Sequence, residues 1–158
     1  MNYTPRALIA EVTHRCPLHC VYCSNPIEMQ RRSEELTTEE WASIFRQAGE
    51  LGVLQLHLTG GEPLLRSDVA ALVAAGRSAQ LYINLITSGV GLDAARLDAL
   101  VAAGLDHIQL SFQDTQEAFA NEFSGTRSHS LKLRVAAMIR ERRLAFTVNM
   151  VVHRRNLA

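Results

Sequence analysis

The sequence predicts an α/β domain organised on parallel strands. Three observations carry that expectation. Apolar runs, four of them containing β-branched residues, recur five times, helical patterns lie between them, and short polar, glycine-rich stretches follow the runs. Strand, helix, strand is the order of parallel α/β architecture. Right-handed crossovers then leave either an open doubly wound sheet or a barrel.

The first run, ALIAEV at 7–12, leads into a loop that holds Cys16, Cys20 and Cys23. TTEEWASIFRQAGELG then has Thr37 and Glu40 at capping-box spacing, with Trp41, Ile44, Phe45, Ala48 and Leu51 on one stripe and Gly52 as a stop. The second run, LQLHL at 54–58, ends on TGGEP, Thr59 to Pro63, and Asp68 is placed to cap VAALVAAG. The third, LYINLI at 81–86, leads to TSG, Thr87 to Gly89. Asp93 is placed to cap AARLDALVAAG, whose apolar face is Leu97, Leu100 and Val101 and whose stop is Gly104. The fourth run, HIQLSF at 107–112, contributes to SFQD, Ser111 to Asp114, and Gln113 and Asp114 are placed to cap a helix from about Thr115. Helical pieces at TQEAFANEF and roughly 129–142 precede the fifth run, FTVNMVV at 146–152, which holds Asn149, with Asn156 just beyond. No helix follows to cover this run, and parallel sheets are covered on both faces. The expectation is therefore one domain over residues 1–158, belonging to a longer protein.

Composition excludes several classes. Sixteen basic and sixteen acidic side chains cancel, which argues against a nucleic-acid or membrane-surface footprint. No apolar run approaches the ~20 residues of a membrane span. The opening MNYTPRALIAEV lacks the basic-then-apolar layout of a signal peptide. Three clustered cysteines in that context predict a reducing, cytoplasmic setting, where thiols serve as metal ligands or redox groups.

Ligands of α/β folds gather at the carboxyl ends of the strands, and there the polar stretches fall. The C-x3-C-x2-C loop can wrap three sulfurs around one compact object. A structural zinc needs four ligands, for which His14 or His19 would have to supply the fourth. A four-iron cubane held by three thiolates keeps one iron open to an outside ligand. The odd count excludes a full disulfide framework. The six histidines read as structural or exposed side chains, and no residue is identifiable as a general base.

CPLHCVYC, with aromatic Tyr22 before its last cysteine, together with GGEP from Gly60, resembles the radical S-adenosylmethionine (SAM) superfamily. That resemblance implies a partial parallel (βα)6 barrel of which about five βα units are present. It implies a [4Fe-4S] cluster on Cys16, Cys20 and Cys23, whose open iron is chelated by the amino and carboxylate groups of SAM. It further implies cofactor contacts from Tyr22, Gly60, Gly61, Glu62, Pro63, Thr87, Ser88, Ser111 and Asn149, the glycines letting backbone approach the ligand closely. TSG stands where many relatives have Thr-Asn-Gly.

Within the superfamily, YCSNP, SFQD and HRRN look like the family of PqqA peptide cyclases. That likeness implies reductive cleavage of SAM to methionine and a 5′-deoxyadenosyl radical, hydrogen abstraction from a glutamate of the PqqA peptide, and a carbon–carbon bond to a tyrosine, a step of pyrroloquinoline quinone biosynthesis. It implies as partners the peptide, a PqqD-like peptide carrier and a reductant such as flavodoxin. Such enzymes carry auxiliary clusters in a C-terminal extension, and all three cysteines of this chain lie in the one loop. Another peptide-modifying or cofactor-forming enzyme of the superfamily, or a non-catalytic metal-binding module, are the alternatives.

Overall fold

The computed structural model describes residues 4–25 and 32–157, so Pro26 of the YCSNP motif lies outside the described residues. Five parallel strands, β1 (Ala7–Glu11), β2 (Gln55–Thr59), β3 (Tyr82–Thr87), β4 (His107–Phe112) and β5 (Ala145–Met150), lie side by side in chain order. Helices α1 (Thr38–Glu50), α2 (Val69–Ser78), α3 (Ala94–Ala102), α4 (Glu117–Ser124) and α5 (His129–Glu141) connect them. A doubly wound sheet requires the strand order to reverse. Here it never does, so successive right-handed crossovers put the helices on one face. Of the two architectures the sequence left open, this is the barrel-like one.

The strands alternate because only one face is covered. Ala10, Leu58, Leu85, Ile108 and Phe146 share one register row and face the helices. The first four of these are buried in the core with Phe45 of α1, Leu72 of α2, Leu97 of α3 and Ile139 of α5. One residue along, Ile9, His57, Asn84, His107 and Ala145 form a row on the opposite, concave face. Successive side chains of a strand point to opposite faces, so LQLHL and HIQLSF spell this arrangement directly. The fifth strand pairs with β4 through all six of its residues and is largely exposed, with Val148 at 57%.

Two of the five α-helices start on side-chain caps, whereas α2, α4 and α5 do not. Asp114, expected to cap a helix from about Thr115, instead accepts from the Gln116 amide just ahead of α4. Thr37 and Glu40 form the complete capping box of α1, and Asp93 accepts from the Arg96 amide at the start of α3. Asp68 precedes α2 but makes no cap, because Arg66 takes both of its oxygens. The buried Arg66 guanidinium also donates to the carbonyls of Val12 and Leu36, tying the end of β1 to the entry of α1. These bonds, with Thr38 adding another, hold the Asp68 carboxyl at about 2, below its ordinary value. Leu51 and Val101, placed by periodicity on apolar faces, are exposed: Leu51 is the cap residue beyond α1, and Val101 lies off the buried stripe of Leu97 and Leu100. Among the described residues no helix is long and apolar enough to cross a membrane.

A one-sided sheet gives a testable contrast. Leu85→Ala on the helix side is expected to lower stability by about 2–5 kcal/mol, and Thr147→Ala on the concave side by less than about 0.5 kcal/mol, in paired urea titrations.

Candidate functional site

The cysteine loop leaves β1 and crosses the carboxyl ends of the strands. Cys16, Cys20 and Cys23 are free, and all three line one cavity of about 290 Å³. Its walls are the strand ends: Thr59, Gly60 and Gly61 after β2, Thr87 and Ser88 after β3, Ser111 and Gln113 from β4, and Asn149 from β5. Ser111 and Asn149 are register partners, so a hydroxyl and an amide stand side by side on that wall. Tyr22 closes the cavity from the loop. The structure thus brings together the three cysteines and seven of the nine positions assigned from the resemblance.

Glu62 and Pro63 are the two it sets behind the wall. Glu62 is fully buried, and its carboxylate accepts four hydrogen bonds. Thr87 Oγ1 donates at 2.6 Å, the Ser88 amide at 2.8 Å and the Leu64 amide at 3.0 Å, with the Ser88 hydroxyl as the fourth donor. One side chain thereby fastens the turn after β2 to the turn after β3. Pro63 opens the short 3-10 turn Pro63–Leu65.

The two glycines also serve a purpose other than the expected one. A Cβ on Gly60 would lie 2.2 Å from the Thr13 carbonyl oxygen, and one on Gly61 would lie 2.3 Å from that of Arg15. Gly60 has φ +139°, a conformation other residues rarely adopt. Without side chains, the turn packs flat on the start of the cysteine loop. The Gly61 amide donates to Thr13 O and the Glu62 amide to Arg15 O, each at 2.7 Å. The closest approach is backbone to backbone, and it fixes where the loop begins.

The far side of the loop rests on α4 and on the segment after β5. The His19 and Val21 amides donate to the carbonyls of Ser124 and Phe123 at 2.9 and 3.1 Å. The His153 ring lies edge-on to Phe123 at 4.6 Å and tilted against Tyr22 at 5.9 Å, while Arg155 covers the other ring contact of Phe123 at 4.8 Å. Asn156 donates to Gln113 O and Val151 O, so HRRN is a turn that clamps the loop.

Lys132 is the residue that sequence reasoning missed. It is 1% exposed, and its ammonium donates to Ser111 O at 3.0 Å and Gln113 Oε1 at 2.6 Å, both neutral acceptors. Among the described residues no carboxylate forms an ion pair with it. Burial pulls its pKa down to about 8, against the opposing pull of Cys20, Glu62 and Cys16. Buried charges are ordinarily paired, so this ammonium, set behind the Ser111 and Gln113 part of the wall, stands without a counter-charge in contact among the described residues. The signal was in α5, where the spacing of Lys132, Val135 and Ile139 puts a lysine on the buried stripe.

Burial pushes the Cys16 and Cys20 thiols above their ordinary value, and Lys132 pulls Cys20 partly back. Such thiols keep their protons until a metal displaces them. Among the described residues no three His, Cys, Asp or Glu side chains converge as ligands of a single ion. A cubane makes no such demand, because each thiolate sits on a different iron. Soft donors on one loop, an adjoining cavity and an unpaired ammonium behind it fit a cluster with a polar ligand beside it.

Comparison with known proteins agrees with this geometry. Residues 10–157 match the sequence profile of the Radical SAM superfamily. The chain is 53% identical over 155 residues to a PqqA peptide cyclase of Gluconobacter oxydans, covering 98% of this chain and 43% of that protein. It superposes on Streptococcus suis SuiB bound to precursor peptide SuiA with TM-score 0.83, at 22% identity, covering 95% of this chain and 34% of SuiB. It superposes on native anSMEcpe with bound AdoMet with TM-score 0.73, at 20% identity, covering 90% of this chain and 42% of that one.

Two outcomes test the site's construction. Gly61→Ala is expected to cost about 1–3 kcal/mol in urea titration, because two backbones must part, and to speed alkylation of the cysteines. For Lys132, the unfolded chain holds between pH about 8 and its ordinary 10.5 the proton that the folded chain has shed. Its unfavourable contribution is full below about 8 and disappears as pH rises. The stability of the wild type relative to Lys132→Met is therefore expected to rise between pH about 8 and about 10.

Proposed function

Since the chain belongs to the radical SAM superfamily, we propose that it holds a [4Fe-4S] cluster on Cys16, Cys20 and Cys23 and SAM in the adjoining cavity, as the core of a PqqA peptide cyclase. The observation that carries this reading is the gathering of all three free cysteines on one loop, facing a cavity walled by the ends of β2 to β5. The 53% identity to a PqqA peptide cyclase supports the choice within the superfamily. When bound, the cluster and SAM supply a one-electron reductive cleavage that ends in hydrogen-atom abstraction from the peptide.

The chain's own residues provide position. Tyr22, packed against the His153 ring, is a flat surface for the adenine ring. The backbone of Gly60 and Gly61 presents main-chain polar groups to the methionine end. Thr87 and Ser88 give their donors to Glu62 and so turn oxygen lone pairs, rather than free hydroxyl protons, toward other partners. Ser111 and Asn149 supply a paired hydroxyl and amide, and Lys132 supplies the positive charge that an anionic occupant requires. The peptide's glutamate and tyrosine are the pair joined by the new carbon–carbon bond. A PqqD-like carrier to present the peptide and a reductant such as flavodoxin are the partners this reading calls for.

Anaerobic reconstitution with iron and sulfide is expected to load about four irons per chain. The EPR signal of the dithionite-reduced protein is expected to change shape when SAM is added, and Cys16→Ser, Cys20→Ser and Cys23→Ser each to lose it. Zinc in place of iron, or a cluster blind to SAM, overturns the reading. With PqqA added, a product lighter by a pair of hydrogens supports the cyclase assignment, while SAM cleavage without any change in the peptide moves the chain elsewhere in the superfamily.

A further inference from the structure

The concave face carries a second polar constellation, away from the cysteines. His57 of β2, Asn84 of β3 and His107 of β4 stand in one register row. The Asn84 amide bridges the two imidazoles: Nδ2 meets His57 Nδ1 at 2.9 Å, and Oδ1 meets His107 Nδ1 at 2.7 Å. Asn84 is 5% exposed between them, on a face that the helices do not cover. Among the described residues neither His57 Nε2 nor His107 Nε2 has a hydrogen-bond partner.

An amide has one donating and one accepting end, and this restricts the pair. The imidazole that receives the NH2 group must keep Nδ1 bare and carry its proton on Nε2. The imidazole that donates to the carbonyl carries its proton on Nδ1 and leaves an Nε2 lone pair. Turning the amide over exchanges the roles without changing the result: one free N–H and one free lone pair. In the orientation here, His57 offers the N–H and His107 the lone pair. His107 can accept a proton on Nε2 with its bridge intact. The bridge thus leaves one site, His107 Nε2, where a proton can be added without disturbing it.

We infer that this bridge is a carboxylate subsite for the peptide substrate, in which His107 takes up one proton as the carboxylate arrives and His57 donates to a carbonyl of the same ligand. The inference rests on the peptide-modifying reading above. Burial and the neighbouring His57 both hold His107 below the usual histidine range, which favours its neutral ring when no anion is present. The other titratable groups on that face are Glu11 of β1, one pleat repeat further up, and Tyr82 of β3, one repeat down. The partner rows on β5, Ala145 and Thr147, carry none.

The location suits a reacting acidic side chain. His57 lies two residues before Thr59, and Asn84 two before Ile86, and both of those later residues line the cavity. Two residues of strand advance about 6.6–7 Å. A carboxylate held at the row of the bridge leaves the carbons of its side chain at the cavity's edge.

The test uses the full chain labelled with 15N in its histidine rings, and glutarate, a small dicarboxylate, as probe. Without ligand, long-range proton–nitrogen spectra are expected to show His57 protonated on Nε2 and His107 on Nδ1. Glutarate is expected to convert His107 alone to the doubly protonated ring, and neutral glutaramide is expected to leave it unchanged. Calorimetry in buffers of different ionisation heat is expected to read about one proton taken up. His107→Gln is expected to weaken glutarate roughly ten-fold, as loss of a charge-assisted hydrogen bond does. A His107 ring unmoved by saturating glutarate, or moved equally by glutaramide, overturns the subsite. The PqqA peptide then separates the two ideas. Glutarate protonating His107 while the peptide neither binds nor competes leaves the subsite standing and sinks the cyclase reading. A peptide that is crosslinked while His107 responds to neither ligand does the reverse.

Discussion

The carboxylate of Glu62 is the joint on which the geometry of the strand ends depends. Among the described residues it forms no ion pair and is satisfied instead by four donors drawn from its own turn and from the turn after β3. Such a group tolerates little displacement, because each donor it loses becomes an unpaired polar atom in the interior. On its other side, the same turn lies flat against Thr13 to Arg15 through two glycines and two short amide bonds. Three successive crossover loops are thus locked to one another by contacts of the chain itself. The cysteines inherit their starting point from that lock.

Helices on one face and polar groups on the other divide the labour of each strand between stability and chemistry. The apolar alternates join β1 to β4 to the helices in one core. The polar alternates are then free to carry hydroxyls, amides and imidazoles without exacting a burial penalty from the core. Where the concave face does bury a polar group, as at Asn84, two neighbours satisfy it. The division also explains why the strand ends, rather than the helices, supply most of the cavity wall.

Much of this was legible in the sequence, and the exceptions have physical causes. Strand and helix order, the capping box at Thr37 and the cap at Asp93 are short-range features written in adjacent residues. The cysteine loop was equally plain. Asp68 was misread as a cap because its real partner is a guanidinium that also reaches back to β1, a long-range arrangement no local pattern encodes. Gly60 and Gly61 were read as openings for a ligand, and what no local pattern showed is that their missing side chains also make room for another loop of the same chain. Lys132 and the His57–Asn84–His107 row were overlooked although their signals were present. The first lies on an apolar stripe of α5, the second at alternate positions of apolar strands. The periodicity that placed the core also marked the polar residues that break it.

The clamp formed by His153 and Asn156 has a consequence for timing. The cysteine loop lies near the start of the chain, and the residues that press Tyr22 into place are made about 130 residues later. Contacts so distant in sequence form late, after the intervening loops have closed. During synthesis on the ribosome, the three thiols emerge early and wait with one side of their loop unsupported. The loop therefore reaches its final packing only once the HRRN turn has been made.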